Sequence, residues 1–286
     1  MRLSSSIPWP AKMLAKMVLS KIPISYRSWN RLGIFKHGAM LDPSYAYSKF
    51  MTHYGRVDFP RKGKDFVTLE LGPGDSLHSA LIAQTVGASQ TYLVDVGCYA
   101  LCPADCCQIM AKYLRQMEGD DRGLAGNPSS DERLSSAGAT YLTHGLKSLA
   151  DIPNGSVDFI WSEAVLEHIR LDEFDSLMRQ LKRILRPDGV CSHHVDLKDH
   201  LGGYLNHLRF SQSTWESDLF HNSGFYTNRL RFSEMLEIFQ TVGFSVDNVT
   251  VQRWPTIPFQ RSSLDSRFSL MTDEELCVSG FDVILR

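Results

Sequence analysis

The chain has 286 residues, 43% of them hydrophobic, which is enough to bury one large core as a single elaborated domain. Its formal net charge of -2 argues against a nucleic-acid binder, because phosphate neutralisation needs Lys and Arg clustered on the binding face. No stretch approaches about 18 uncharged apolar residues, so no membrane-spanning helix is expected.

The N-terminal segment, residues 1–60, departs from this balance. Up to Leu41 it has no Asp or Glu, while Arg2, Lys12, Lys16, Lys21, Arg27, Arg31 and Lys36 are basic. Pro10 can open a helix in which Met13, Leu14, Met17 and Val18 share a face opposite Lys12 and Lys16, and Pro23 prevents its continuation. Those lysines exclude a secretory h-region. Three readings stay open: a helix lying on an anionic membrane face, an organelle transit peptide, or a cap packed on the domain of residues 61–286. A further helix is expected over Tyr45–Tyr54.

Phe66–Leu71 is a short β-rich run, Gly72 and Gly74 allow a tight turn close to a ligand, and Ser76–Val86 has helical apolar spacing. The next strand ends on Asp95, where such units place a carboxylate to accept ribose hydroxyls. Two chemistries share this plan. A dinucleotide site wants a third glycine, but Leu77 stands there. Glu70, two residues before Gly72, would repel a pyrophosphate and could instead pair with an ammonium group. S-adenosylmethionine carries an ammonium and no phosphate, so the turn favours the methyl donor.

Cys98, Cys102, Cys106 and Cys107 are spaced C-x3-C-x3-C-C, which matches no paired C-x2-C zinc knuckle. Most fall on a helix expected over Pro103–Gln116, where cysteine behaves as a small buried hydrophobe, and reduced thiols suit a cytoplasmic protein. Glu118–Gly138, polar and glycine-bearing, reads as an irregular excursion before a third strand at Ala139–Thr143.

Ser156–Ser162 (SVDFIWS) has a buried-strand pattern and runs into EAVLEHI, Glu163–Ile169. Asp158, Ser162, Val165, Leu166, Glu167 and His168 resemble the fourth strand and following segment of class I S-adenosylmethionine-dependent methyltransferases of the type 11 group. LKRILRPDGV (Leu181–Val190) is similar to that group's helix, proline turn and fifth strand, and LEIFQTVGFSV (Leu236–Val246) to its last helix and sixth strand. The resemblance implies an α/β, Rossmann-like, mostly parallel seven-stranded sheet with an antiparallel C-terminal strand near the edge, here Phe281–Leu285, and helices on both faces. It also implies that the Tyr45–Tyr54 helix helps to cover the donor. Asp172–Leu185 repeats apolar residues at helical spacing, and Ser233 is placed to cap a helix that Gly243 ends.

For the donor, Glu70 would face the methionine ammonium, and the backbone of Leu71, Gly72, Pro73 and Gly74 would pass beneath it. Asp95 would hold the ribose, and Ser162 would sit beside the sulfonium. The family's adenine-binding acid has no clear match in His144–Pro153, which leaves the base to Val96 and to backbone near Leu146.

Methyl transfer to oxygen needs positioning and usually a base. His168 is the first candidate, with His194 and His200 of the cluster SHHVDLKDH next; a helix residue that only packs is the alternative for His168. His193, His194, Asp196, Asp199 and His200 could suggest a metal, but strand alternation keeps His193 and His194 from sharing one site, and none is expected. The long segment from about 197 to 231, rich in Tyr, Trp, His, Asn and Arg, is where the resemblance puts an acceptor lid. The expected reaction is O-methylation of a sugar, glycan or lipid-linked precursor. A small aromatic or polyketide is the alternative acceptor, and a non-catalytic donor-binding scaffold is the alternative of another class.

Overall fold

β-Branched and aromatic runs alternating with amphipathic segments produce a three-layer α/β architecture. The computed structural model describes residues 8–22, 38–101, 106–118 and 129–286. In chain order these give α1 (Trp9–Leu19), α2 (Pro43–Gly55), β1 (Phe66–Leu71), α3 (His78–Thr85), β2 (Ala88–Val94), α4 (Cys106–Glu118), α5 (Ser130–Ser136) and β3 (Ala139–Leu142). Then come β4 (Val157–Glu163), α6 (Leu171–Ile184), β5 (Leu185–Asp196), α7 (Phe232–Val242), β6 (Val246–Arg253) and β7 (Val278–Leu285), with short helical turns between them.

The sheet order is β3-β2-β1-β4-β5-β7-β6, and β7 lies antiparallel between β5 and β6. Chain order reverses between β1 and β4, which are parallel neighbours with Leu71 opposite Ser162. Such a reversal opens a crevice at the carboxyl ends of the strands.

Strand alternation sends Phe66, Phe159, Trp161 and Val190 to a core shared with α2, α3 and α4. Leu69, Leu71, Ile160 and Cys191 go to the opposite core, against Phe174, Leu177, Met178 and Leu181 of α6 and Met235 and Phe239 of α7. Each large apolar side chain so buried contributes about 1.5–3 kcal/mol. Cys106 and Cys107 are part of the first core, whereas Cys102 and Pro103 lie outside the described residues.

Local capping sets several boundaries. Asp42 accepts from the backbone N–H of Ser44 (2.8 Å) and of Tyr45 (3.2 Å), so α2 starts at Pro43. The excursion expected over Glu118–Gly138 is partly helical, because Ser129 and Glu132 form a reciprocal capping box that starts α5. Ser233 does not cap α7. Arg231 is the N-cap, its N–H donating to Glu234 Oε2 (2.9 Å), and the N–H of Ser233 turns to Glu275 Oε1 (2.9 Å). Gly243 ends the helix at φ +99°.

The segment 197–231, read from sequence as irregular, is built from helical turns at Asn206–Arg209, Gln212–Trp215 and Asp218–His221. Its aromatics are spent on a core of their own, Trp215, Phe220, Phe225 and Tyr226 with Leu201, against which Trp9, Met13 and Met17 of α1 pack. Two buried arginines fasten it. The Arg229 guanidinium lies 5.4 Å from the Trp215 ring and 5.2 Å from Phe268, donating to the Phe210 carbonyl at 2.6 Å. Arg231 donates to the Val278 carbonyl at 2.6 Å. Among the described residues no helix is long and apolar enough to cross a membrane.

Candidate functional site

β1 ends in the glycine turn, with Gly72 at φ +65° and Gly74 at φ +63°. This left-handed backbone is one that L side chains resist. A Cβ on Gly72 would stand 2.6 Å from Val165 Cγ2, so the turn also packs against the segment after β4. Gly72→Ala should lower stability by about 1–2 kcal/mol through backbone strain alone, and an unchanged thermal midpoint would remove the need for glycine there. Leu71 is buried in the core below the turn, and Pro73 and Gly74 are buried beside it.

Two carboxyl groups flank the turn. Asp95 Oδ2 accepts from the Gly74 N–H (3.2 Å) and Oδ1 from the Val96 N–H (2.7 Å). Burial outweighs these bonds and lifts Asp95 to about 6. Glu70 points into the α3 face, buried, and accepts from the Ser79 hydroxyl. Burial and the nearby Asp95 raise it to about 8, so it is mostly protonated at neutral pH. A pyrophosphate would meet both acids. A cationic donor with a ribose would meet groups suited to it, and the residues present fit S-adenosylmethionine in that sense.

The other residues expected from sequence to hold the donor converge on the same strand ends. Ser162 lies in register between Leu71 of β1 and His193 of β5, and its hydroxyl is 2.7 Å from His193 Nδ1. Burial, with His53 and Arg56 nearby, lowers His193 to about 3, so the ring is neutral and holds the serine in place. Beyond β2, the Gly145 N–H donates to the Asp95 carbonyl at 2.9 Å. A Cβ on Gly145 would be 3.1 Å from Val96 Cγ1. Val96, 68% exposed, and the turn leading into Leu146 therefore stand side by side, as an adenine-facing wall requires. Tyr141, which sequence reasoning passed over, braces this wall: its hydroxyl donates to the Gly97 carbonyl (3.0 Å) and accepts from the Tyr99 N–H (3.1 Å).

Of the three histidines read as bases, two come together. The rings of His168 and His200 lie 4.7 Å apart at 49°. His168 Nδ1 is 2.9 Å from the Tyr226 carbonyl, which can only accept, so that nitrogen carries the proton and the lone pair lies on Nε2. His194 is held elsewhere, 3.0 Å from Asp282, which also pairs with Arg56 at 2.8 Å.

That pair belongs to a charged network that the sequence did not reveal as a unit. Glu163, last residue of β4, accepts from Lys49 and from His53 Nε2 (3.1 Å), while His53 Nδ1 reaches Ser192 at 2.8 Å. Despite partial burial, these bonds hold Glu163 down at about 2. Lys49, His53 and Arg56 share one face of α2 by i, i+4, i+7 spacing, a signal that could have marked them. The network clamps α2 onto the carboxyl ends of β4 and β5 beside the donor turn. Among the described residues, no three of His, Cys, Asp or Glu gather as metal ligands.

A family model described as a methyltransferase domain matches residues 49–249. Solved structures similar to this chain include an S-adenosylmethionine-dependent methyltransferase from Mesorhizobium loti, at 14% identity over 86% of this chain and 99% of that one, with a TM-score of 0.46. A methyltransferase of the same cofactor from Aquifex aeolicus matches at 14% identity over 92% and 98%, with a TM-score of 0.43. Geranyl diphosphate C-methyltransferase from Streptomyces coelicolor A3(2) matches at 14% identity over 85% and 78%, with a TM-score of 0.46. No curated protein matches the sequence significantly.

Proposed function

Because this chain belongs to the methyltransferase-domain family as an S-adenosylmethionine-dependent class I enzyme, we propose that it methylates an oxygen of a sugar, glycan or lipid-linked precursor. The observation that carries this reading is the His168–His200 pair, with the Nε2 lone pair of His168 set by the Tyr226 carbonyl. An imidazole with its lone pair on Nε2 suits removal of a hydroxyl proton as a methyl group arrives in line.

The aromatic side chains of the lid bear on the acceptor class. Trp215, Phe220, Phe225 and Tyr226 are buried in the lid's own core and are not displayed for stacking on a flat substrate. His168, Lys198, His200 and Tyr204 are the more exposed groups in this region, and they suit a polyhydroxylated acceptor better than a small aromatic or polyketide. The reading includes a cytoplasmic working site and peripheral contact of the basic N-terminal helix with a membrane. A screen of methyl-labelled donor against sugar nucleotides, lipid-linked sugars and phenols tests it. Label on a hydroxyl of the first two classes is expected, and label confined to phenols would overturn it.

In this reading Glu70, Leu71, Gly72, Pro73, Gly74, Asp95, Val96, Leu146 and Ser162 hold the donor, which supplies the electrophilic methyl group. Glu70 then has a measurable signature. With its carboxyl near 8 it carries roughly 0.9 proton at pH 7. A cation seated beside it lowers that value, so the proton leaves on binding. Calorimetry of S-adenosylhomocysteine at pH 7, in buffers of differing ionisation enthalpy, should show release of close to one proton, absent in Glu70→Gln. No release from the unaltered chain would separate Glu70 from the ammonium.

A further inference from the structure

The helix α1 is two-faced. Inward, Trp9, Met13 and Met17 pack on the lid core, with the Trp9 and Phe210 rings 6.2 Å apart, edge to face. Outward, Leu14 is 59% exposed, Val18 65% and Ile22 39%, and with the exposed Pro10 they follow one another at four-residue steps along one side. Lys21 adjoins Ile22 just past the helix, Lys12 and Lys16 lie away from Leu14 and Val18, and the sequence has no acidic residue before Asp42.

The inward face touches the residues that hold the histidine pair. Tyr226, in the aromatic core under α1, gives its carbonyl to His168. Lys16 Nζ donates to the His200 carbonyl at 3.1 Å. α1 is therefore tied to both histidines, to His168 through the lid's aromatic core and to His200 through Lys16.

We propose that the outward face of α1 docks on an anionic lipid bilayer, and that docking stiffens the acceptor lid, so that the enzyme takes its acceptor from a membrane surface. Exposed aliphatic side chains on a basic segment that carries no acids match the boundary between acyl chains and negative headgroups. The same stripe is a poor protein interface. Three partly covered aliphatic side chains fall well short of the ~800 Å² per partner that a specific complex buries. Docking stands independently of the chemistry; the acceptor's delivery rests on the methyltransferase reading given above.

The full chain would be sedimented with vesicles of phosphatidylcholine containing about one-third phosphatidylglycerol, and with phosphatidylcholine alone. Partition onto the anionic vesicles is expected, and it should fall at least tenfold in the Leu14→Asp/Val18→Asp variant. In Lys12→Glu/Lys21→Glu it should fall by about fivefold or more per residue, the equivalent of about 1 kcal/mol per charge. All three proteins should bind S-adenosylhomocysteine equally, because none of these side chains reaches the donor turn. Hydrogen exchange of the lid amides, residues 200–226, should slow on adding anionic vesicles to the unaltered chain and not to the variants. Equal partition of all three proteins would overturn docking. So would a dimer in the ultracentrifuge that the aspartates dissociate, which would give the stripe to a second copy. Lid exchange that ignores bound vesicles would overturn the coupling. Loss of S-adenosylhomocysteine binding by the unaltered chain would instead strike the methyltransferase reading and leave docking standing.

Discussion

Replacing His168 with asparagine is expected to lower methyl transfer by roughly 10²- to 10⁴-fold, the usual contribution of a positioned general base. Asparagine is the informative choice. Its amide N–H can still donate to the Tyr226 carbonyl that now holds His168 Nδ1 at 2.9 Å, so the lid stays fastened while the basic nitrogen is lost. Donor affinity should be unchanged, and the loss should fall on kcat with little change in KM, as for a group that acts only in the transition state. His200→Ala, measured in parallel, asks whether the base is instead the second ring, 4.7 Å away. Full rate in both variants would show that neither histidine takes the proton.

Removing the Asp95 carboxylate should weaken S-adenosylhomocysteine binding by about 3–6 kcal/mol, at least roughly 100-fold, the worth of two hydrogen bonds to a charged group. Asp95 also ties down the turn, since it accepts from the Gly74 and Val96 N–H groups, so Asp95→Ala should show both effects. The pH dependence separates them. Burial holds Asp95 at about 6, and the ribose needs the ionised form. In the Glu70→Gln background, which removes the proton released at Glu70, affinity should therefore be level above about pH 6 and decline by up to tenfold per unit below it. Asp95→Asn, which cannot titrate, should bind weakly with no such decline over that range. Undiminished affinity in Asp95→Ala would move the ribose elsewhere.

Other charged groups near the site should be insensitive over the same range. Glu163 is kept ionised by His53 and Lys49, with its carboxyl at about 2. A carboxyl depressed in this way contributes stability above its unfolded value of about 4.3. That contribution drains away only as pH falls toward 2. With Glu70 replaced by Gln, a decline in donor affinity between pH 6 and 5 can accordingly be assigned to Asp95 without loss of the α2 clamp.

Much of the donor half was legible in the chain because its determinants are local. E-x-G-x-G followed by an acid one strand later fixes a turn, a helix and a carboxylate whatever lies around them: Leu71 ends β1, Asp95 follows the last residue of β2, and Ser162 lies one residue before the end of β4. The apolar periods of Phe174–Leu185 and Leu236–Val242 likewise specify which faces meet the sheet. The acceptor half was far less legible. Its aromatics lie where the resemblance puts an acceptor lid, but Trp215 and its neighbours close on one another. Ser233 had the right chemistry for a cap, yet Glu275 from a distant segment claims its N–H.

By itself, then, the sequence determined the order of strands and helices, the glycine turn with its two acids, and the cationic, acid-free character of the N-terminal helix, since each is written in residues a few positions apart. Only the tertiary structure decided that Glu70 is buried and neutral, that His168 meets His200 while His194 is drawn to Asp282, and that α1 turns Trp9 inward and Leu14 outward. Those outcomes depend on burial and on partners brought from far along the chain, and neither desolvation nor a long-range contact has a signature in local spacing.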